Sequence, residues 1–197
     1  MTDNEMWEHA WRLLARGVAD KKHAFNLATV ATVAGQHPAV PRSRTLVLRG
    51  QNMKQGSLTC YTDHRSDKIS NLENSGGVMS WCFWDRKSRL QFTGHGLTTI
   101  DTERSATVFS SLPKHSRKAY ATTKAPGTPL PHPTDGLPDD WEDRSREETE
   151  YAASNFVVLT TVLTYVEILQ LDREGHRRLR ATRVAVEDAW SFQWIVP

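Results

Sequence analysis

The sequence predicts a mainly β protein in which an antiparallel sheet closes on itself and helices pack on its outside. Short runs rich in β-branched, aromatic and other apolar residues recur along the chain, and turn residues separate them. Only a few segments carry apolar residues at helical spacing. Six or more short strands combined with two or three helices are typical of such a closed sheet.

The length of 197 residues predicts a single domain over 1–197, with an N-terminal helix over 3–19 and a proline-rich loop over 124–140. With 25 basic and 23 acidic residues, the net charge of +2 creates no general field for nucleic acid or a membrane. The N-terminus lacks a secretion signal, and no apolar run approaches the roughly 18 residues that span a bilayer. We therefore expect a cytoplasmic protein without a nucleic-acid or membrane partner.

Periodicity and capping residues predict the order of the elements. Ser66 and Asp101 are expected to cap two helices that run to about residues 74 and 111. A charged helix is expected from residue 139 or 140 to about residue 154. Strands are predicted over 25–33, 40–48, 57–62, 78–84, 90–100, 156–171, 177–186 and 190–196.

An arginine lies inside the apolar strand over 40–48. Because alternate side chains of a strand share a face, Arg44 falls on the same face as Leu46 and Leu48. A buried guanidinium is costly unless it has an anionic partner. Arg44 therefore either holds an anionic ligand, reaches solvent from the strand end, or pairs with a carboxylate of the protein.

A second cationic group follows the strand over 57–62, in the turn Arg65-Ser66-Asp67-Lys68. The N–H groups at a helix start carry partial positive charge, and Ser and Lys side chains there add donors for an anion. The alternative is a solvated turn with a serine cap, and Asp67 opposes an anion unless it points away. Two cationic groups near neighbouring strand ends would suit a dianionic phosphate attached to a flat ring.

Other chemistries find little support in the sequence. The eight histidines form no H-x-x-x-H or Cys/His cluster, so no metal site is predicted, and G-x-S-x-G and Walker motifs are absent. Gly94-His-Gly96 lies within a strand and indicates a bulge or close backbone packing. The arginines over 173–180 are interpreted as a solvated hairpin. No catalytic residue is assigned.

Taken in order, several short segments resemble the pyridoxamine 5′-phosphate oxidase-like family of FMN-binding split β-barrels. The matching segments are Arg44-Thr-Leu-Val-Leu-Arg49, Tyr61-Thr62, Arg65-Ser66-Asp67-Lys68 and Gln91-Phe-Thr-Gly-His-Gly96. The resemblance is good over about 25–110 and loose over 156–197. It implies a split antiparallel barrel, FMN as the cofactor, and a homodimer with FMN at the subunit interface.

The resemblance also implies roles for individual residues. Arg44 and Lys68 would bind the FMN phosphate, with help from Arg65 or Ser66. The flavin and its ribityl arm would contact a further group of residues, which comprises the backbone of Thr45, Leu46, Val47 and Leu48 together with Tyr61, Thr62 and Gln91. The Gln91 amide offers a donor and an acceptor to a ring edge, although a lone glutamine is usually just an exposed polar residue.

The sequence departs from the family pattern beside the flavin and its phosphate as well as on the substrate side. Apolar residues replace expected polar or aromatic ones at Val108, Leu112, Leu171, Leu179 and Ala181, and Asp67 replaces an arginine beside Lys68. Arg49, Ser116 and Arg177 remain as substrate candidates. The sequence therefore predicts an FMN-dependent oxidoreductase with a diverged small-molecule site. A flavin-binding module without turnover, or a split barrel that binds heme or a deazaflavin, stays open as an alternative.

Overall fold

A computed structural model describes residues 1–35 and 37–197, and its centre is an antiparallel sheet of nine strands. The strands are β1 (Leu27–Ala34), β2 (Val40–Val47), β3 (Gly50–Asn52), β4 (Ser57–Asp63), β5 (Val78–Asp85), β6 (Leu90–Asp101), β7 (Phe156–Gln170), β8 (Arg177–Thr182) and β9 (Ser191–Ile195). Their order is β2-β1-β5-β6-β7-β4-β3, and β8 pairs with β7 and β9. The main strand path ends at β2 and β3, so the sheet is not closed and the expectation of full closure is wrong.

Alternation along the strands separates an inner face from an outer face. In β5 and β6 the side chains of Trp81, Phe83 and Phe92 are buried, whereas Trp84 and Leu97 on the other face are exposed. Helix α1 (Asp3–Ala19) adds its apolar stripe to the same core. The core therefore lies on the inner side of the sheet and beneath α1.

The N-terminal helix has a reciprocal cap. The Thr2 hydroxyl accepts a hydrogen bond from the Glu5 amide, while the Glu5 carboxylate accepts one from the Thr2 amide. This capping box satisfies two amides that a helix start would otherwise leave unpaired.

The other helices are α2 (Asp67–Asn74), α3 (Thr102–Ser111) and α4 (Lys114–Arg117), with 3₁₀ turns over Ala24–Asn26, Lys118–Tyr120 and Glu147–Asn155. Asp101 caps α3, because its carboxylate accepts a hydrogen bond from the Arg104 amide. The charged helix predicted up to residue 154 is wrong, since only the 3₁₀ turn forms there. The Asp140 carboxylate instead binds the Arg144 side chain.

A bulge interrupts β6 between His95 and Gly96, where its register on β7 shifts. A Cβ on Gly96 would overlap the carbonyl oxygen of Val162 and the Cα of Leu163. Gly96 is therefore required by the close approach of two backbones, and the predicted bulge is confirmed.

Strand boundaries differ from the predictions in small ways. Residues 50–52, where no strand is predicted, form β3 against β4. Strand β8 ends at Thr182 rather than at residue 186, because the chain turns there and the Arg183 guanidinium binds the carbonyls of Leu163, Val186 and Gln55. The predicted turn over 35–38 includes residue 36, which lies outside the described residues. No helix in the described chain is long and apolar enough to cross a bilayer.

A second, smaller apolar cluster packs beside the main core around Phe109, Trp141 and Phe156. At its edge Arg117 is 1% exposed and donates hydrogen bonds to carbonyls of α3 and of the chain near residue 146. Its guanidinium also pairs with Glu150 at 2.8 Å. One buried arginine thus joins α3, α4 and the 3₁₀ turn over Glu147–Asn155.

Candidate cofactor site

Arg44 occupies the inner face of β2, where that strand passes α2. It is paired across the sheet with buried Val30, and its Nη1 donates to Thr32 Oγ1 and to the Arg42 carbonyl, both at 2.7 Å. Asn71 of α2 donates to the same Thr32 hydroxyl at 3.2 Å. The guanidinium is thus held at a fixed place between β1 and α2.

Lys68 lies in the first turn of α2 and is fixed by two hydroxyl groups. Its Nζ donates to Thr62 Oγ1 and to Ser66 Oγ, each at 2.7 Å. The Ser66 hydroxyl in turn donates to the Asp63 carbonyl at 2.7 Å. Ser66 stands at the N-cap position but makes no side-chain cap, so the predicted capping hydrogen bond is wrong. Its hydroxyl serves to orient Lys68 instead.

The two cations act on each other through space, and neither has a carboxylate in direct contact among the described residues. Burial, followed by the positive charge of Arg44, lowers the pKa of Lys68. Burial likewise lowers the pKa of Arg44, and the nearby Asp67 only partly offsets this effect. Both groups are therefore held in a charged form at a cost that a bound anion would remove.

Arg65 is engaged elsewhere. Its Nε and Nη2 bind the two carboxylate oxygens of buried Asp63 at 3.0 and 2.7 Å. Its Nη1 and Nη2 donate to the carbonyl and the hydroxyl of Thr122, both at 3.0 Å. All three guanidinium nitrogens of Arg65, which the resemblance predicts to assist in phosphate binding, thus bind protein groups.

A cavity of about 320 Å³ opens beside Arg44. It is lined by Ala34, Arg42, Ser43, Arg44, Asp67, Ser70 and Asn71. Among the described residues, no hydrogen bond takes up the Nε and Nη2 of Arg44 or the third proton of Lys68. The donors that remain suit the phosphate of FMN. The cavity is lined by Arg44 and by the opposing carboxylate of Asp67, and Lys68 lies outside its lining.

The chain from Thr45 to Leu48 continues from Arg44 towards β4. The side chains of Leu46 and Leu48 belong to the core, and the Leu48 amide donates to the Asn26 carbonyl at 2.8 Å. Tyr61 in β4 is half-buried, and the Arg49 guanidinium lies 5.5 Å from the centre of its ring. Thr62, already bound to Lys68, is buried. Because Tyr61 and Thr62 are consecutive in β4, their side chains lie on opposite faces of the strand, and Thr62 is the one that contacts Lys68.

Gln91 lies away from Arg44 within one chain. The row of paired residues through Arg44 passes Val30 and Trp81 on the inner face, whereas Gln91 pairs with Trp84 on the outer face. Ser116 is in α4, and exposed Arg177 pairs with Gln170 at the far end of β7. Twelve residues of β7 separate Gln170 from the partner of Tyr61, Val158, which is roughly 40 Å of extended strand.

Sequence reasoning missed Thr32 and Asn71 as neighbours of Arg44. A hairpin register drawn between the two strands would have placed Thr32 one diagonal step from Arg44, as the observed pairing does. The position of Asn71 depends on how α2 packs on β1, for which the sequence carries no local signal.

Known proteins resemble this chain in sequence and in fold. Residues 7–102 match the sequence model of the family described as pyridoxamine 5′-phosphate oxidase, FMN-binding domain. A pyridoxine/pyridoxamine 5′-phosphate oxidase of Cytophaga hutchinsonii is 36% identical over 95 residues, which are 48% of this chain. The matched part spans 40% of that relative's length.

Two solved structures share the fold over nearly the whole chain. A pyridoxamine 5′-phosphate oxidase-related, FMN binding protein of Nostoc punctiforme matches with a TM-score of 0.77 and 22% identity, over 97% of both chains. PhzG of Burkholderia lata, solved with tetrahydrophenazine-1-carboxylic acid, matches with a TM-score of 0.69 and 16% identity, over 96% of this chain and 91% of its own. At these identities the likeness establishes the fold alone.

The fold is that of the FMN-binding split barrels. Residues 7–102, just under half of the chain, match the FMN-binding domain of the pyridoxamine 5′-phosphate oxidase family.

Proposed function

We propose that this protein is an FMN-dependent oxidoreductase that acts on a small molecule other than pyridoxamine phosphate. One observation carries the proposal: Arg44 and Lys68 are half-buried and, among the described residues, donate only to hydroxyl and carbonyl oxygens. The charge of Arg44 also contributes to the lowered pKa of Lys68. A dianionic phosphate is the partner that this arrangement lacks. The match of residues 7–102 to an FMN-binding domain family supports FMN as its carrier.

In this proposal Arg44 and Lys68 hold the phosphate, Ser66 and Thr62 orient the ammonium, and Thr32 orients the guanidinium. The backbone from Thr45 to Leu48 and the Tyr61 ring lie along the flavin. Bound FMN would supply two-electron redox chemistry, while the protein supplies position and electrostatics. No residue is assigned as a general base.

We further propose that the working unit is a homodimer. The outer face of β1, β5 and β6 exposes a set of apolar side chains: Leu27, Val33, Val78, Trp84 and Leu97. Such a patch on a sheet face is typical of a protein–protein interface. Gln91 lies on that face, away from Arg44 of its own chain, so only a second copy could bring it to the flavin bound at Arg44.

The substrate side supports a diverged specificity. The positions where the resemblance expects polar or aromatic groups for a substrate phosphate hold Val108, Leu112 and Leu179, and Leu179 is fully buried. Exposed Arg49, beside Tyr61, remains as a contact for an anionic group of the substrate. Ser116 and Arg177 stay as weaker candidates.

The same substitutions favour a second candidate function, a flavin-binding module without turnover. One experiment separates the two functions. FMN is titrated into the protein, the bound flavin is reduced, and its reoxidation is followed with oxygen, quinones and phenazine-type acids as partners. Turnover with any of these above the rate of free FMN supports the oxidoreductase. Binding without turnover supports the module, and the visible spectrum of the purified protein separates FMN from heme and deazaflavin.

A further inference from the structure

Residues 122–136, which we call the Pro-rich segment, overlap the proline-rich loop predicted over 124–140. The segment is closed at its base and is hydrogen-bonded to the turn that carries Lys68. The Thr123 amide donates to the Gly136 carbonyl at 2.8 Å, which closes the segment into a loop. Thr122 then accepts two hydrogen bonds from Arg65, one at its carbonyl and one at its hydroxyl. Among the described residues these are the only hydrogen bonds between the Pro-rich segment and the turn over 63–68.

Arg65 also holds Asp63, the first residue of the turn over 63–68. Asp63 accepts three hydrogen bonds at its carboxylate, from the Arg65 amide, Nε and Nη2. Its carbonyl accepts the Ser66 hydroxyl, which orients Lys68. Thr122, Arg65, Asp63, Ser66 and Lys68 thus form one unbroken hydrogen-bonded chain from the Pro-rich segment to the ammonium group.

We infer that Arg65 is a positioning residue that couples the Pro-rich segment to the phosphate site. Four of its guanidinium N–H groups donate to Asp63 and Thr122, so it acts on the cofactor without contacting it. Because the coupling of two sites is reciprocal, FMN binding must strengthen the attachment of the segment to the same degree that the attachment strengthens FMN binding. This inference rests on the proposed function in one respect, that Lys68 binds the FMN phosphate.

The geometry explains why an arginine is needed at this position. Its planar fork binds both oxygens of Asp63 and still directs two N–H groups to Thr122. A lysine at position 65 presents one ammonium with three donors and cannot span both partners in this way. Arg65→Lys is therefore expected to keep the charge and to lose the attachment.

The test compares Arg65→Gln, Arg65→Lys and Thr122→Val with the parent protein. Arg12→Gln serves as a matched control, because Arg12 pairs with Glu8 on the exposed face of α1 and touches neither the segment nor the turn. Hydrogen exchange of residues 120–137 is measured by mass spectrometry with and without FMN, and FMN affinity is measured by fluorescence titration. Exchange in β6 and β7 reports whether each variant stays folded.

We expect exchange of the segment to rise at least tenfold in all three variants and FMN affinity to fall at least fivefold, with Arg12→Gln unchanged. Thr122→Val is decisive, since Thr122 is 57 residues from Arg65 and lies outside the phosphate turn. Unchanged FMN affinity in Thr122→Val, or unchanged exchange in Arg65→Gln, overturns the coupling while the proposed function stands. A parent protein that binds no FMN overturns both the coupling and the proposed function.

Discussion

Lys68 and Thr62 are joined by a 2.7 Å hydrogen bond from Nζ to Oγ1, between the first turn of α2 and the end of β4. The bond directs the ammonium towards the side of the sheet where Arg44 lies, although both groups are cationic. A protein gains nothing in stability from placing two half-buried cations together, so the arrangement indicates a site kept for an anion.

The first prediction concerns that pair of cations. Arg44→Ala and Lys68→Ala should each weaken FMN binding by about 1.5–3 kcal/mol, the usual contribution of a hydrogen bond to a charged group. Isothermal titration with FMN and with riboflavin, which lacks the phosphate, measures the effect. Riboflavin binding should change little. Lys87→Ala is the matched control, because Lys87 is exposed in the turn between β5 and β6. A double variant that binds FMN as tightly as the parent would falsify the phosphate assignment.

The second prediction concerns pH. Burial and the charge of Arg44 lower the pKa of Lys68, and only charged Lys68 attracts the phosphate. FMN affinity should therefore fall as pH rises through this lowered pKa. It should also fall below about pH 6, where the phosphate takes up its second proton. Lys68→Met should lose the alkaline decline and keep the acidic one. An alkaline decline of the same size in Lys68→Met would assign it to another group.

The third prediction concerns the free energy of unfolding of the FMN-free protein, which should depend on pH in the opposite direction to FMN affinity. The pKa of Lys68 is lower in the folded state than in the unfolded chain, so between these two pKa values the unfolded chain binds more protons. The free energy of unfolding should accordingly rise with pH across that interval. Urea unfolding at several alkaline pH values measures it. Adding FMN should reverse the slope, and a slope that FMN leaves unchanged would contradict the proposed linkage.

The fourth prediction concerns the outer face of the sheet. Trp84→Asp and Leu97→Asp place a charge on the apolar patch, where Trp84 is 44% and Leu97 is 61% exposed. Both should convert a dimer into monomers in sedimentation experiments and should reduce FMN affinity at the same time, because Gln91 would no longer reach the flavin. Val184→Asp is the control, since Val184 is 95% exposed but lies in a loop away from the patch. Dimers that persist in both patch variants would place the interface elsewhere.

The fifth prediction concerns stability away from the site. Arg117→Met leaves several buried carbonyls without a donor and should cost about 3–5 kcal/mol, as the loss of one partner from a buried charged network does. Thermal unfolding should show a fall in Tm of roughly 2–4 °C for each kcal/mol in a chain of this size. Glu150→Gln should cost under about 1 kcal/mol, because the Glu150 side chain is 57% exposed. A comparable loss in both variants would mean that the ion pair alone matters.

The sequence predicted the strands, the antiparallel arrangement and the bulge at Gly96, because period-two patterns and glycines are local signals. It also selected Arg44 and Lys68, since Arg44 is a cation inside an apolar strand and Lys68 lies at a helix start where an anion site can form. It did not predict that Arg65 binds Asp63 and Thr122. That choice depends on a contact 57 residues away, which no local pattern records.

The prediction of a charged helix up to residue 154 failed for a similar reason. Its composition is helical, but Arg117 binds the Arg146 carbonyl and Thr149, and Asn155 binds the Tyr120 carbonyl, so tertiary contacts hold the segment in a tighter 3₁₀ form. Closure of the sheet was likewise overestimated, because strand count alone does not determine whether the two edge strands meet.

Strand β7 has a consequence for how the protein is made. It pairs with β4 on one side and with β6 on the other, although it begins more than fifty residues after β6 ends. In residues 7–102 alone, β4 and β6 would each have an unpaired edge, and unpaired strand edges promote aggregation. A nascent chain halted near residue 110 should therefore aggregate rather than acquire flavin. FMN can therefore bind only after translation has passed about residue 170 and β7 has paired with β4 and β6.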